Sequence, residues 1–311
     1  MTSRVLIFPG QGSQAVGMLA DLAQSEAEVV DTFNEASDVL ERDCWQLVSQ
    51  GPESELNQTE WTQPMMLAAD IAVWRVYRRL GGAMPTAMAG HSLGEYAALV
   101  AADVMNLSDA IRIVHLRGRL MQQAVPTEVG AMAAILGLED TQVEQLCVEV
   151  SDQSQARTVV AANYNAPGQL VIAGHAAAVE QAIEACKAAG ARRALRLPVS
   201  VPSHSPLMQP AVEPLLEALN AVEIREPKVS LLHNFDVASH AEPQAIKQAL
   251  AEQLTHPVRW TETINQLLGQ GASEFYECGP GRVLCGLGKR IDRSATWQPL
   301  ENLAALQAAA A

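Results

Sequence analysis

Residues 90 to 94 read Gly90-His91-Ser92-Leu93-Gly94, a serine with a glycine two places to either side. Small residues in this pattern serve a plain tight turn. They also serve a nucleophile held on a strand-to-helix elbow, where glycines let the backbone pass close without clashing. Thr86 to Ala89 is short and apolar, and Leu93 to Met105 is rich in Ala and Leu, so the strand–turn–helix context is available. A serine hydroxyl is a poor nucleophile until a base takes its proton, so a histidine is required. Of the seven histidines, His204 lies in "LPVSVPSHSPLMQP", between Pro-containing turns and just ahead of a helix. Loops of this kind present catalytic side chains. His91 adjoins the serine, and neighbours on an elbow diverge, so it suits lining a pocket better than acting as base.

A cation completes the set. In "SDAIRIVHLRGRLMQQA" the apolar residues recur at helical spacing, with Ser108 as the expected N-cap. Advancing about 100° per residue, Arg117 falls among Ile113, Leu120, Met121 and Ala124, while Arg112 and Arg119 fall on the polar side. A guanidinium in an apolar stripe needs an anion. That anion is either a permanent internal carboxylate or the carboxylate of a substrate, held by the planar fork. Serine, histidine and an inward arginine together suggest transfer of an acyl group that carries its own negative charge.

The elements that position these residues follow from the rest of the chain. Its 311 residues, 49% hydrophobic and 18% charged, are enough for one large domain or two modest ones. The longest apolar run, 97–102, is too short to span a membrane, and the N-terminus lacks signal-peptide features. Five scattered cysteines without CxxC spacing point to a reducing compartment, no disulfide framework and no metal site, hence a cytoplasmic protein. A net charge of −14 argues against nucleic acid.

Val5 to Phe8 reads as a buried strand, followed by the Gly-rich turn Pro9-Gly-Gln-Gly-Ser13 and helical stretches around 27–50 and 62–80. The Gly-rich turn lacks the Lys-Ser/Thr of a phosphate-cradling P-loop. From 131 the order is strand 131–136, helix 140–150, strands 158–163 and 169–173, helix 176–190 and strand 193–199. This βαββαβ run is the ferredoxin-like pattern. After it come strand 228–232, a helix near 243–254 and strand 275–277. The expected architecture is an α/β, hydrolase-like core of 1–127 and 198–311, interrupted by a small ferredoxin-like α+β unit of 128–197. A cleft between them is the expected site. The Ala-rich tail at 304–311 is expected to fray.

At this point the chain resembles the malonyl-CoA:acyl carrier protein transacylases nearly end to end. The resemblance rests on "FPGQGSQ" (8–14), "GHSLGEYAAL" (90–99), "RG" (117–118), "NAPGQLVIAG" (165–174), "PVSVPSHS" (198–205) and "YECGPGRVLCGLGKRI" (276–291). It implies Ser92 as the acylated nucleophile, His204 as base and Arg117 as the grip on the malonyl carboxylate. It further implies the backbone N–H groups of Gln11 and Leu93 as an oxyanion hole. α/β-Hydrolases place an acid between serine and histidine in chain order. The resemblance implies instead that a backbone carbonyl at Gln253 orients the histidine, although that side chain reads equally as a surface amide. His91 and Asn165 match pocket-lining positions.

The implied reaction is ping-pong transfer of malonyl from coenzyme A to the phosphopantetheine thiol of acyl carrier protein, in fatty-acid synthesis, by a monomer without bound cofactor. Rivals are an acyltransferase serving a polyketide synthase, a serine esterase or thioesterase, and a silent acyl-binding subunit. The last two have no use for Arg117 or for the serine–histidine pair, respectively. With 35 acidic residues against 21 basic ones, an acidic carrier needs a local basic patch. Arg192-Arg193 with Arg196, and Lys289-Arg290 with Arg293, are the two candidates.

Overall fold

The computed structural model describes residues 3–126, 128–152, 157–199 and 201–311. The expected boundary residue Thr127, and Ser200 within the 198–205 motif, lie outside them. Among the described residues the strands are β1 (Ser3–Phe8), β2 (Ala87–Gly90), β3 (Gly130–Leu136), β4 (Val159–Ala166) and β5 (Gln169–His175). β6 (Arg193–Arg196), β7 (Ser230–Leu232), β8 (Ala272–Glu277) and β9 (Thr296–Pro299) follow.

Five of these make a parallel sheet in the order β7-β2-β1-β8-β9. The run Val5-Leu-Ile-Phe8 is fully buried, as expected of a parallel strand covered on both faces. Leu6 and Phe8 face one cluster with the helix Thr59–Arg79, while Val5 and Ile7 face another with Trp260, Leu267 and Leu287. The period-2 alternation of β1 thus decides which helices each side chain meets.

The second sheet is antiparallel, in the order β4-β5-β3-β6. This is the arrangement expected of βαββαβ, with both helices, Asp140–Val150 and Ala176–Ala188, packed on one face. The other face carries Met132, Val171, Leu197 and Val199, which look back at the parallel sheet across a cleft. Backbone bonds tie the two units: Tyr164 N donates to Val258 O at 2.9 Å and Val258 N to Ala162 O at 2.8 Å.

Several boundaries differ from the sequence reading for local reasons. The stretch 27–50 breaks at Glu41, whose φ is 51°, and Asp43 caps the second piece by accepting from Gln46 N. The helix carrying Arg117 is Leu107–Ala124, capped by Asn106 accepting from Asp109 N, and not by Ser108. The Ala-rich tail does not fray. It forms the helix Leu303–Ala310, buries Leu306 and Ala309, and receives a bond from Arg4 to Ala309 O. Strand β9 is absent from the sequence reading because it is only four residues long and Trp297 is its one strongly apolar residue.

Candidate active site

Strand β2 ends at Gly90, and the helix Gly94–Ala101 begins four residues later. A Cβ on Gly94 would stand 2.0 Å from Phe8 O, and one on Gly90 would stand 1.9 Å from the Gly94 carbonyl carbon. The elbow is therefore pressed directly on β1, and no side chain fits at either glycine. Ser92 sits at its apex with φ 51°, a left-handed conformation that costs a serine free energy. Asn234 holds it there, accepting from Ser92 N at 2.6 Å and donating to Gly90 O at 2.7 Å.

His204 is 3% exposed, also with positive φ (59°), and its Nε2 lies 2.8 Å from Ser92 Oγ. Its Nδ1 is 2.8 Å from Gln253 O. A carbonyl only accepts, so Nδ1 carries the proton and Nε2 is left to accept from the serine hydroxyl. Burial, with the Arg117 charge close by, pushes the imidazole down from 6.5 to about 3. The ring is thus neutral, the state of a general base, throughout the ordinary pH range.

Arg117 is 1% exposed, as its place in the apolar stripe requires. No carboxylate touches it among the described residues, contrary to the permanent internal ion pair. Nη1 donates to Gln63 Oε1 at 2.8 Å, and Nη2 donates to Gln253 Oε1 at 2.8 Å and to Ser92 Oγ at 3.2 Å. Burial lowers its pKa from 12.5, opposed by Tyr96 and Glu95. The Gln253 side chain is fully buried within this network and is no surface amide.

Gln11, His91, Ser92, Leu93, Asn165 and His204 all line one cavity of about 220 Å³. Among the described residues, neither the Gln11 nor the Leu93 amide N–H donates a hydrogen bond. Asn165 Oδ1 accepts from His91 Nε2 at 2.8 Å, and His91 leans on Trp260. Burial pushes the His91 imidazole down, so it too favours the neutral form.

The two basic clusters are exposed. Arg290 donates to Gln169, which lines the cavity. Arg193 pairs with Leu136, which pairs with Gln169 on its other side, so Arg193 shares that transverse row. Arg196 is turned the other way and pairs with Glu180.

Gln63, Glu95, Asn234 and His233 were not picked out from sequence. Gln63 and Glu95 carried one usable signal, a polar residue on the buried stripe of an apolar helix. Among the described residues, no group of three or more His, Cys, Asp or Glu could hold a metal. Among the same residues, no helix is long and apolar enough to cross a membrane.

A serine on a strained elbow, a neutral imidazole on its hydroxyl and a cleft between a parallel and an antiparallel sheet define a serine acyltransferase of α/β type. The acyl transferase domain family matches residues 5–297. The malonyl CoA-acyl carrier protein transacylase of Salmonella typhimurium is 50% identical over 309 residues, 99% of each chain. The crystal structure of an acyl carrier protein S-malonyltransferase from Vibrio cholerae is 51% identical, with TM-score 0.95 over 99% of each chain. A malonyl-transacylase solved in complex with a type II PKS acyl-carrier protein is 51% identical, with TM-score 0.96 and 99% of each chain covered. The chain belongs to the malonyl CoA-acyl carrier protein transacylase family.

A histidine held neutral in this way would make acylation of the adjacent serine insensitive to mild acid. With its pKa lowered to about 3, His204 remains a base as pH falls through 6.5, the ordinary value. The acid limb of the pre-steady-state acylation rate is expected well below pH 6.5; a limb centred at 6.5 would contradict the neutral, buried base. Stability runs with the opposite limit. The unfolded chain takes up a proton below 6.5 that the native His204 refuses, so its contribution weakens as pH drops from 6.5 towards 3.

Proposed function

We propose that the chain transfers a malonyl group from malonyl-CoA to the phosphopantetheine thiol of acyl carrier protein, through an ester on Ser92. Arg117 carries the proposal: a buried guanidinium, without a carboxylate partner among the described residues, within hydrogen-bond reach of the serine hydroxyl. His204 Nε2 takes the Ser92 proton as Oγ attacks the thioester carbonyl. The amides of Gln11 and Leu93 receive the negative charge that develops on the carbonyl oxygen. Collapse of the tetrahedral intermediate breaks the C–S bond, and the imidazolium returns its proton to the leaving thiolate of coenzyme A. The carrier thiol then enters, gives its proton to His204 and takes the malonyl group by the reverse steps.

Throughout, Arg117 grips the free carboxylate of the acyl group with its planar fork, and His91 with Asn165 shapes the wall beside it. The route runs on side chains and backbone alone, with no resident cofactor. A hydrolase would have no anionic tail for Arg117 to hold. Transfer to a polyketide carrier is a second reading, favoured by the relative solved with a type II PKS carrier; the chemistry at Ser92 is the same. The division into 1–127 with 198–311 and 128–197 belongs to this proposal, supported by the two separate sheets. So do a monomeric state and a cytoplasmic location, the latter supported by five free, buried cysteines.

Mass spectrometry of the intact protein after brief exposure to malonyl-CoA is expected to show one malonyl adduct, absent in Ser92→Ala. An adduct that survives in that variant would overturn the assignment. Arg117→Ala removes the anchor of malonyl while acetyl loses nothing. A charged, hydrogen-bonded contact of this kind is worth about 2–4 kcal/mol, or roughly 30- to 1000-fold. The malonyl-to-acetyl ratio of kcat/KM is expected to fall by that factor; equal losses for both would make Arg117 structural.

The third expectation concerns the carrier. The exposed Val283 and the helix Val283–Ile291 lead from the cavity to Lys289 and Arg290, and acyl carrier proteins are typically acidic. Replacing both cations by glutamate is expected to raise KM for the carrier, about tenfold at low salt. Acylation of Ser92 should hardly change, and the effect should shrink as salt is added. Unchanged carrier kinetics at low salt would remove this patch from the docking surface.

A further inference from the structure

One carboxylate belongs to the buried polar network around Ser92 and does not touch the reacting hydroxyl. Glu95, on the helix Gly94–Ala101, is wholly buried. Its Oε1 accepts from His233 Nδ1 at 2.6 Å, and its Oε2 accepts from Asn234 N at 2.9 Å and Gln253 Nε2 at 2.8 Å. Two of the three partners can only donate, and with its proton on Nδ1 His233 donates as well, an arrangement that suits an ionised carboxylate. Gln253 lies between this anion and Arg117, with Nε2 towards Glu95 and Oε1 accepting from Arg117 Nη2 at 2.8 Å. An amide between an anion and a cation has its donor end drawn to one and its acceptor end to the other, so its flip is fixed. The peptide carbonyl of the same Gln253 holds His204 Nδ1. The amide of Asn234, which braces the serine elbow, rests on the same carboxylate.

Building on the acyl-transfer reading above, we propose that Glu95 is a positioning residue and the remote counter-ion of Arg117, acting through the Gln253 side chain. A carboxylate in direct contact would occupy the guanidinium fork and compete with the carboxylate of the acyl group. A site with no anion would leave a buried cation uncompensated. One intervening amide balances the charge without placing a carboxylate on the fork; among the described residues Arg117 Nε makes no hydrogen bond. The acid that α/β-hydrolases place on the histidine is here moved back by one residue. It steadies Gln253, and Gln253 steadies both the imidazole and the guanidinium.

The test is a pair of variants, each assayed with malonyl-CoA and acetyl-CoA beside the wild type. In Glu95→Gln, His233 can shift its proton to Nε2, which is unpartnered among the described residues, so the new amide still finds partners and the fold is expected to hold. Here kcat is expected to fall about tenfold for both substrates, since His204 loses its fixed carbonyl, with little change in their ratio. The exchange Glu95→Gln with Gln253→Glu keeps the net charge but brings the carboxylate onto Arg117. That variant is expected to melt near the wild-type temperature and to lose its preference for malonyl by about thirtyfold or more.

Wild-type kcat in Glu95→Gln overturns the positioning role. An exchange variant that keeps the malonyl preference, or that does not fold where Glu95→Gln does, overturns the remote pairing. A wild-type protein that shows no malonyl on Ser92 in the mass spectrum defeats the acyl-transfer reading itself, a result separable from either.

Discussion

Arg117 brings a full positive charge into a place where almost no water reaches it, and an uncompensated buried ion costs several kcal/mol even after the protein relaxes. The surroundings answer that cost without closing the site. Gln63 and Gln253 offer neutral oxygens, the Tyr96 ring lies 5.6 Å from the guanidinium carbon, and Glu95 stands one amide away. The same charge bears on His204, adding to burial in keeping the imidazole neutral. Base strength, anion affinity and the buried polar network therefore share one electrostatic origin.

Backbone strain is the second constraint. Ser92 and His204 both occupy the left-handed region, at about 1–3 kcal/mol each. Such conformations persist only where packing over-determines them. At Ser92 the contact of Gly94 with Phe8 O leaves the elbow no room to relax, and Asn234 clamps both the amide of the serine and the carbonyl before it. The hydroxyl is thereby held at hydrogen-bond distance from the imidazole, 2.8 Å from Nε2.

The two sheets give this constellation its enclosure. Leu197 and Val199, which follow β6 of the antiparallel sheet, line the cavity together with Leu284 and Leu287 of the segment after β8. An apolar surround strengthens each electrostatic contact within it. Because β4 is bonded through its backbone to Val258 in the core, Asn165 meets His91 across the cleft at a fixed distance. The walls are held in register by main-chain geometry, which individual side chains do not control.

Much of this protein was legible in its sequence because the signals were local. The Gly-His-Ser-Leu-Gly elbow, the apolar run of β1 and the βαββαβ alternation each lie within a short stretch of chain. The inward face of Arg117 followed from helical periodicity alone, and the order of the small sheet followed from its connectivity. What the sequence could not decide was which distant groups meet. Asn106 and not Ser108 caps the helix of Arg117, because the helix starts two residues earlier than its apolar stripe suggests. The Ala-rich tail becomes a docked helix because Arg4, some three hundred residues away, receives it. Glu95, Gln253 and Asn234 look like ordinary polar residues until the fold brings three separate segments beneath Ser92. Local pattern determined which residues point inward, and tertiary packing decided which of them answer one another's charge, since a buried polar group takes its partner from whatever the fold sets beside it.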